Sequence, residues 1–231
     1  MITVALPLYN QSDILPVALC GLSNQIGGIP YELIILTEDK DVSEIVDTWQ
    51  TALKDSGMTR FKLIELQQWT PLPQKWRILG REASDDSIGF ILQAGDCYPH
   101  PNRIKQSFEA MESGYDWYHE KQGYFYDFNS KLLAIYRGEP NAKTHLNMCV
   151  ATKHVRNLPF ANIPNGVDRW LFYQIQDAKV YTYEDEVKGV DFNGRNNISH
   201  WRGERINRFR PPFYRTHTKL TDLIPPNMEL V

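Results

Sequence analysis

Residues 2–8 (ITVALPL) form an apolar run that ends directly before Tyr9 and Asn10. A short, β-rich run of this kind predicts a strand that is buried on both faces. Apolar residues with helical spacing follow over residues 14–22, and residues 31–36 (YELIIL) form a second apolar run. A strand, a helix and a second strand in this order predict a βαβ unit, in which the two strands run parallel.

The same alternation continues through the first hundred residues. Periodicity predicts a helix over residues 42–53, a strand over 61–66, a helix over 76–83 and a strand over 88–92. Strands that are apolar throughout are typical of parallel sheets, because helices cover both faces of such a sheet. We therefore expect an α/β fold with a Rossmann-like, mostly parallel central sheet that is flanked by helices.

The second half of the chain is less regular. Aromatic residues are frequent over residues 115–135, which we interpret as strands of an antiparallel edge. A helix is predicted over residues 168–175, a strand over 180–183, and loops beyond Gly189. The C-terminal half is accordingly expected to be antiparallel or irregular.

Composition excludes several classes of protein. The chain has 231 residues, of which 42% are hydrophobic and 23% are charged, as in ordinary globular domains. No apolar run approaches the 18 or so residues of a membrane-spanning helix, and residues 1–10 show no secretory signal pattern. The three cysteines, Cys20, Cys97 and Cys149, form neither a metal pattern nor a disulfide framework. We therefore expect a cytoplasmic protein.

Charge is distributed unevenly along the chain. The formal net charge is -3, yet residues 188–219 contain eight Lys and Arg residues against two acidic residues, a net charge of +6. The remainder therefore carries -9. A basic C-terminal segment predicts an anionic partner, such as a diphosphate, a phospholipid surface or nucleic acid. The alternative is a solvated arm that packs on the acidic body.

Polar residues follow three of the apolar strands. They are Tyr9 and Asn10 after the first strand, residues 37–39 after the second and residues 93–96 after the fourth. In an open parallel sheet, ligands bind at the carboxyl ends of the strands. The sequence contains neither GxGxxG after the first strand nor GxxxxGK[ST], which disfavours a dinucleotide-binding Rossmann protein and a P-loop NTPase.

The sequence resembles the family 2 glycosyltransferases with the GT-A fold. Residues 7–10 (PLYN) are similar to the family's Pro-x-Tyr-Asn element, and residues 37–40 (TEDK) stand where the family has Asp-Asp-Gly-Ser. Arg77 and Gly80 fit its Arg-Asn-x-Gly helix start, and residues 93–96 (QAGD) fit its Asp-x-Asp-Asp motif sixteen residues later. The resemblance covers about residues 1–175 and rests on the order and spacing of these elements.

The resemblance implies an inverting transfer of a sugar from a nucleotide-sugar donor, with UDP favoured, to an acceptor that is a glycan, a lipid-linked molecule, a protein or a nucleic acid. It implies one GT-A-like domain over residues 1–231, with a nucleotide-binding half (1–100), an acceptor half (101–187) and the basic C-terminal segment (188–231). The implied donor-binding residues are Pro7, Tyr9, Asn10, Glu38, Arg77, Gln93, Ala94 and Gly95, and Arg202 of the basic segment is a further candidate for donor binding.

The resemblance also assigns roles to two of these residues and to one further carboxylate. Glu38 matches the carboxylate that accepts the N3–H of uracil in the family, and Arg77 is a planar donor suited to a phosphate. Asp168 matches the Asp of the family's Glu-Asp pair, in which Val167 here replaces the Glu. An inverting transferase needs one general base, and Asp168 is the candidate. A purely structural acid at a helix N-terminus is compatible with the same position.

The metal motif departs from the family pattern. Gln93 and Gly95 replace carboxylates, so that Asp96 alone remains. A divalent cation, Mn²⁺ or Mg²⁺, is still expected, because one carboxylate with phosphate oxygens can hold it; His200 is a candidate C-terminal ligand. Alternatively, Arg195, Arg202 and Arg205 of the basic segment take over the role of the metal. These residues are all candidates from sequence.

Two rival functions stay open at this point, and a third is disfavoured. The eroded motif fits a catalytically inactive GT-A-like domain that binds nucleotide or sugar. The basic segment and the aromatic residues fit a sugar transferase that acts on nucleic acid. A nucleotidyltransferase is disfavoured, because residues 10–13 (NQSD) lack a glycine-rich loop with a basic residue.

Overall fold

The computed structural model describes residues 1–139, 141–142, 144, 146–163, 166–193, 205–226 and 228. The strands are β1 (Ile2–Pro7), β2 (Tyr31–Thr37), β3 (Met58–Glu65), β4 (Gly89–Leu92), β5 (Cys97–Tyr98), β6 (Trp117–Asp127), β7 (Leu132–Arg137), β8 (Leu146–Ala151), β9 (Val180–Asn193) and β10 (Phe213–Arg215). The α-helices are α1 (Leu15–Ser23), α2 (Val42–Asp55), α3 (Leu72–Glu82), α4 (Arg103–Glu112) and α5 (Val167–Tyr173).

These strands form one sheet with the order β10-β7-β6-β8-β4-β1-β2-β3. Strand β1 pairs in parallel with β2 and β4, and β2 pairs in parallel with β3. Strand β8 joins β4 and β6 in antiparallel pairing, and β9 pairs with β5 and β6. The expected α/β fold is confirmed, and its second half is mostly antiparallel, although β9 runs parallel to β6.

Helices cover both faces of the parallel half. Alternate residues of β1 point to opposite faces, so that Val4 packs with α1, α2 and α4, whereas Ala5 packs with α3 and α5. Every residue of β1 and β2 is buried. This two-sided burial explains why both strands appear in the sequence as continuous apolar runs.

Several elements differ from the expectation. Helix α3 begins at Leu72, four residues earlier than predicted, because a proline at its first or second position fits the first helical turn. Helix α4 and strand β8 were not predicted at all. Strand β9 continues to Asn193, although loops were expected beyond Gly189, since pairing with β5 and β6 extends it.

The described part of the basic C-terminal segment packs against the body of the protein. Strand β10 pairs with β7, and Leu223 and Ile224 are buried in a cluster with Ile14 and Val17. The described residues do not include 194–204, the segment that contains the predicted site residues Arg195, His200 and Arg202. Across the described ranges, none of the helices has the length and apolarity needed to span a bilayer.

Candidate functional site

The structure brings together the polar residues that follow β1, β2 and β4. Asp39 hydrogen-bonds the turn after β1, and a Cβ built on Gly95 would lie only 2.6 Å from Leu8 Cδ2. The three strand ends therefore meet at one edge of the sheet, as expected for parallel neighbours. This edge is the candidate functional site.

The turn after β1 is built around the carboxylate of Asp39. It accepts hydrogen bonds from the backbone N–H groups of Asn10 (2.6 Å), Gln11 (2.7 Å) and Ser12 (3.0 Å). Asn10 has a φ of 51°, a left-handed conformation that asparagine tolerates better than most residues. The sequence interpretation gave Asp39 no role, although it lies within the 37–40 segment; its neighbour Glu38 was the candidate.

Glu38 forms a buried ion pair that sequence reasoning missed. Its Oε1 atom accepts the backbone N–H of Thr70 at 2.7 Å, and its Oε2 atom pairs with the ammonium group of Lys75. Lys75 also donates to the carbonyl oxygen of Leu8 at the end of β1. The Lys75 side chain is only 3% exposed and that of Glu38 is 9% exposed. The sequence does contain a sign of this pair: Lys75 lies four residues before the apolar Leu79, which places both on the inward side of α3 and predicts a buried lysine.

Burial lowers the pKa of Lys75, and the hydrogen bond and negative charge of Glu38 oppose that effect. The pair links α3, the end of β1 and the end of β2. Tyr9 lies beside it, with the Lys75 Nζ atom 5.6 Å from the centre of its ring. Tyr9 is 44% exposed, which leaves surface on which a planar group can stack.

The side chain of Gln93 points into the interior of the protein. It is fully buried, and its Nε2 group donates to the carbonyl oxygens of Ala94 (2.7 Å) and Cys97 (2.9 Å). Its Oε1 atom accepts from Arg103 Nη1 at 2.6 Å, and Arg103 Nη2 holds the carbonyl oxygen of Leu92 at 2.9 Å. The amide of Gln93 thus stabilises the turn between β4 and β5.

A side chain at Gly95 would meet two neighbouring side chains. Besides its contact with Leu8 Cδ2, its Cβ would approach Gln11 Oε1 to 3.2 Å. A carboxylate at this position would therefore require the side chains of Leu8 and Gln11 to move. The neighbouring Ala94 is exposed, and Asp96 is half-buried, with its carbonyl oxygen accepting the N–H of Phe192 at 2.8 Å.

Few groups remain in this region for a divalent cation. Among the described residues, no group of three or more His, Cys, Asp and Glu side chains is arranged to hold a metal. Asp96 is the predicted ligand that falls within the described part of the chain, whereas His200 falls outside it. One carboxylate that shares the cation with phosphate oxygens is nonetheless a donor set that Mg²⁺ accepts.

Arg77 and Gly80 lie on α3. Arg77 is half-buried, and its Nε group is buried without a hydrogen-bond partner. A Cβ on Gly80 would lie 2.3 Å from the carbonyl oxygen of Val155, so Gly80 allows α3 to pack closely on the segment after β8. The match of Gly80 to the family motif thus has a packing reason.

Asp168 is the second residue of α5, and the predicted helix is confirmed with bounds Val167–Tyr173. The preceding Gly166 has a φ of 69°, which suits glycine. Val167 and Leu171 pack into the same cluster as Trp76 and Leu79 of α3. The Asp168 side chain is half-buried in the first turn of α5, where the helix dipole favours a carboxylate.

Comparison with known proteins identifies the fold. No protein-family model and no curated protein sequence matches the chain. The structure is similar to that of Staphylococcus aureus TarS 1–349 in complex with UDP-GlcNAc, with a TM-score of 0.64 and 14% identity over 85% of this chain and 59% of that chain. This chain therefore spans about three fifths of that protein fragment.

Two further solved structures are similar. A mannosyltransferase from Pyrobaculum calidifontis in complex with GDP-Man and Mn²⁺ has a TM-score of 0.56 and 11% identity over 87% of this chain and 59% of that one. Glucosyl-3-phosphoglycerate synthase from Mycobacterium tuberculosis has a TM-score of 0.55 and 13% identity over 84% and 73%. The expected GT-A fold of glycosyltransferases is thereby confirmed.

Proposed function

We propose that this chain is a glycosyltransferase that moves a sugar from a nucleotide-sugar donor, with UDP as the favoured nucleotide, to an acceptor with inversion at the anomeric carbon. The observation that carries the proposal is the meeting of the turns after β1, β2 and β4 at one edge of a GT-A sheet. Residues 1–100 would bind the nucleotide, and residues 101–187 would bind the acceptor.

The base and the phosphates have separate partners in this proposal. The exposed face of Tyr9 stacks on the base, and Glu38 retains lone pairs for a base N–H, because a carboxylate offers about four acceptor sites. Pro7 and Asn10 shape the turn beside them. Arg77 and Arg202 are proposed phosphate donors.

Gln93, Ala94 and Gly95 contribute backbone rather than ligating side chains. The amide of Gln93 is engaged by Arg103, and Gly95 has no side chain. We place the divalent cation on Asp96, with His200 as a further proposed ligand. When bound, a cation there neutralises charge on the leaving diphosphate.

Asp168 is the proposed general base. Its carboxylate takes the proton from an acceptor hydroxyl while the oxygen attacks the anomeric carbon of the donor. The bond from that carbon to the diphosphate oxygen breaks, and the nucleoside diphosphate leaves. A single positioned base is sufficient for this displacement.

One observation favours a second candidate, a GT-A-like domain that binds nucleotide without catalysis. The Gln93 amide bonds to Arg103 and to two carbonyl oxygens, so it is not available as a metal ligand, and the second carboxylate position of the motif is occupied by Gly95. Both candidates require nucleotide binding, and they differ in turnover.

Nucleotide binding tests both candidates together. A ligand at a hundred times its dissociation constant adds about 2.7 kcal/mol to the free energy of unfolding. We expect millimolar UDP to raise the melting temperature measurably. If UDP, GDP and TDP all leave the melting temperature unchanged, the nucleotide-sugar proposal is wrong.

A further inference from the structure

The three most exposed large apolar side chains in the described part of the chain are aromatic. They are Phe160 (73% exposed), Tyr173 (70%) and Trp69 (60%). Exposed aromatic residues that cluster on one part of a surface are typical of binding sites. Two of them, Trp69 and Phe160, lie on segments that are connected to the candidate site.

Trp69 lies next to a residue that contacts Glu38, a proposed donor-binding residue. It directly precedes Thr70, whose backbone N–H donates to Glu38 at 2.7 Å. Phe160 lies on the segment that leads into α5 and to Asp168. The two segments are joined through α3, because Gln74 Nε2 donates to the carbonyl oxygen of Ala161 at 2.6 Å.

The same segments share a hydrophobic cluster. Leu66 and Leu72 flank Trp69 in the sequence and pack in one cluster with Leu158 and Ile163, which flank Phe160. Each aromatic residue thus projects from a loop that is anchored on both sides. The cluster that holds both loops also contains Val167, the neighbour of Asp168 in α5.

Neither loop carries a charged residue. Residues 66–74 (LQQWTPLPQ) and 157–163 (NLPFANI) contain no Asp, Glu, Lys, Arg or His. Their exposed polar side chains include the amides of Gln67, Gln68 and Asn162. Nucleic acids and anionic lipid surfaces are recognised mainly by Lys and Arg, so these loops do not suit them.

We propose that the loops 66–74 and 157–163 form an acceptor site for a neutral carbohydrate. Trp69 and Phe160 stack on the apolar C–H faces of pyranose rings, and the amides of Gln67, Gln68 and Asn162 bond to the hydroxyl groups. This inference rests on the proposed transferase function, which it extends by naming the class of acceptor and by adding residues 66–74 of the nucleotide-binding half to the acceptor site.

Saturation-transfer NMR with the full chain tests the site directly and needs no turnover. The probes are methyl pyranosides, cellobiose, maltose and lactose, compared with a single-stranded oligonucleotide and with anionic phospholipid vesicles. The variants are Trp69→Ala and Phe160→Ala. Ile26→Ala is the matched control, because Ile26 is 55% exposed in the loop between α1 and β2, at the opposite edge of the sheet.

We expect at least one neutral saccharide to bind the wild type and the Ile26→Ala variant equally. Trp69→Ala and Phe160→Ala should each weaken that binding about threefold to tenfold, the range for one aromatic contact. Absence of saccharide binding, equal binding by all variants, or oligonucleotide or vesicle binding that is lost with Trp69 would each overturn the inference.

The UDP-induced change in melting temperature, measured on the same preparations, separates this inference from the proposed function. UDP binding without saccharide binding overturns the acceptor site and leaves the donor site standing. Saccharide binding that depends on Trp69 and Phe160, without a melting-temperature response to UDP, GDP or TDP, supports the carbohydrate site and overturns the transferase. Neither variant should change the UDP-induced shift in melting temperature, because the proposal places both aromatic rings against the acceptor.

Discussion

The Asp39 carboxylate, which follows β2, accepts a 2.6 Å hydrogen bond from the backbone N–H of Asn10, which follows β1. Two more N–H groups of the same turn, those of Gln11 and Ser12, donate to it. One charged side chain thereby fixes the turn that presents Tyr9. The shape of the proposed base site consequently depends on a residue that need not touch the base.

Asp39→Asn should weaken this turn. Asparagine keeps one acceptor oxygen but presents an NH₂ group to N–H donors, so at least one charge-assisted hydrogen bond is lost. We expect a loss of about 1–3 kcal/mol in the free energy of unfolding and a weaker response to UDP. Urea unfolding and thermal shift measure the two effects. Asp41→Asn is the control, because it removes the same charge from the same loop where no side-chain cap bond exists.

Lys75→Met should be strongly destabilising, because it leaves the Glu38 carboxylate buried without its cation. Breaking a buried ion pair from one side costs about 3–5 kcal/mol. The double variant Lys75→Met with Glu38→Gln should recover part of that loss. Lys62→Met is the control, since its ion pair with Glu82 also involves a residue of α3 but lies on the exposed surface. Equal stability of the Lys62 and Lys75 variants in urea unfolding would contradict the buried pair.

Gly95→Asp, which adds a carboxylate of the family motif, should damage the site rather than improve it. The new Cβ would lie 2.6 Å from Leu8 Cδ2, and overpacking of this kind costs about 1–3 kcal/mol. We expect a lower melting temperature and no gain in Mn²⁺-dependent UDP binding. Ala94→Asp adds the same group at the exposed neighbouring position and should be tolerated. A Gly95→Asp variant with wild-type stability and tighter Mn²⁺ binding would show that the turn adapts.

Removal of the divalent cation should weaken UDP binding by the wild type. Asp96 would hold the proposed cation, which would neutralise charge on the diphosphate, so EDTA and Asp96→Ala should have similar effects, and added Mn²⁺ should not rescue the variant. Calorimetric titration of UDP with Mn²⁺ and with EDTA gives both comparisons. Equal affinity in the two buffers would contradict the metal role, and the arginines of residues 188–231 would then be the leading partners of the diphosphate.

The parallel half of the sheet could be predicted from sequence, because β1, β2 and β4 are buried on both faces and read as apolar runs. Helix α4 was missed, although Ile104, Phe108 and Met111 have helical spacing. Strand β8 was missed as well; it is held by pairing with β4 and β6, which a local pattern does not reveal.

The location of the site followed from topology, but several side-chain roles did not. Strand ends of a parallel sheet meet at one edge, so the positions of Tyr9, Glu38 and Asp96 were predictable. The Gln93 side chain is unavailable as a ligand because its Oε1 atom accepts a hydrogen bond from Arg103, a residue ten positions later on another element. The partner of Glu38 is Lys75, 37 residues away. Contacts of this kind are set by tertiary packing, which one sequence does not display.

Sugar transfer by the Asp168→Asn variant is the measurement that tests the central claim most directly. Nucleoside diphosphate release from a panel of UDP-sugars, with neutral saccharides as acceptors, is compared between wild type and variant on preparations whose UDP thermal shift is also measured. Asparagine preserves the shape of the side chain but is not basic. We predict turnover by the wild type, a loss of about 10²–10⁴-fold in the variant, and an unchanged UDP shift. Turnover of the variant at the wild-type rate would place the base elsewhere, and a wild type that binds UDP but turns over no donor would contradict the transferase itself.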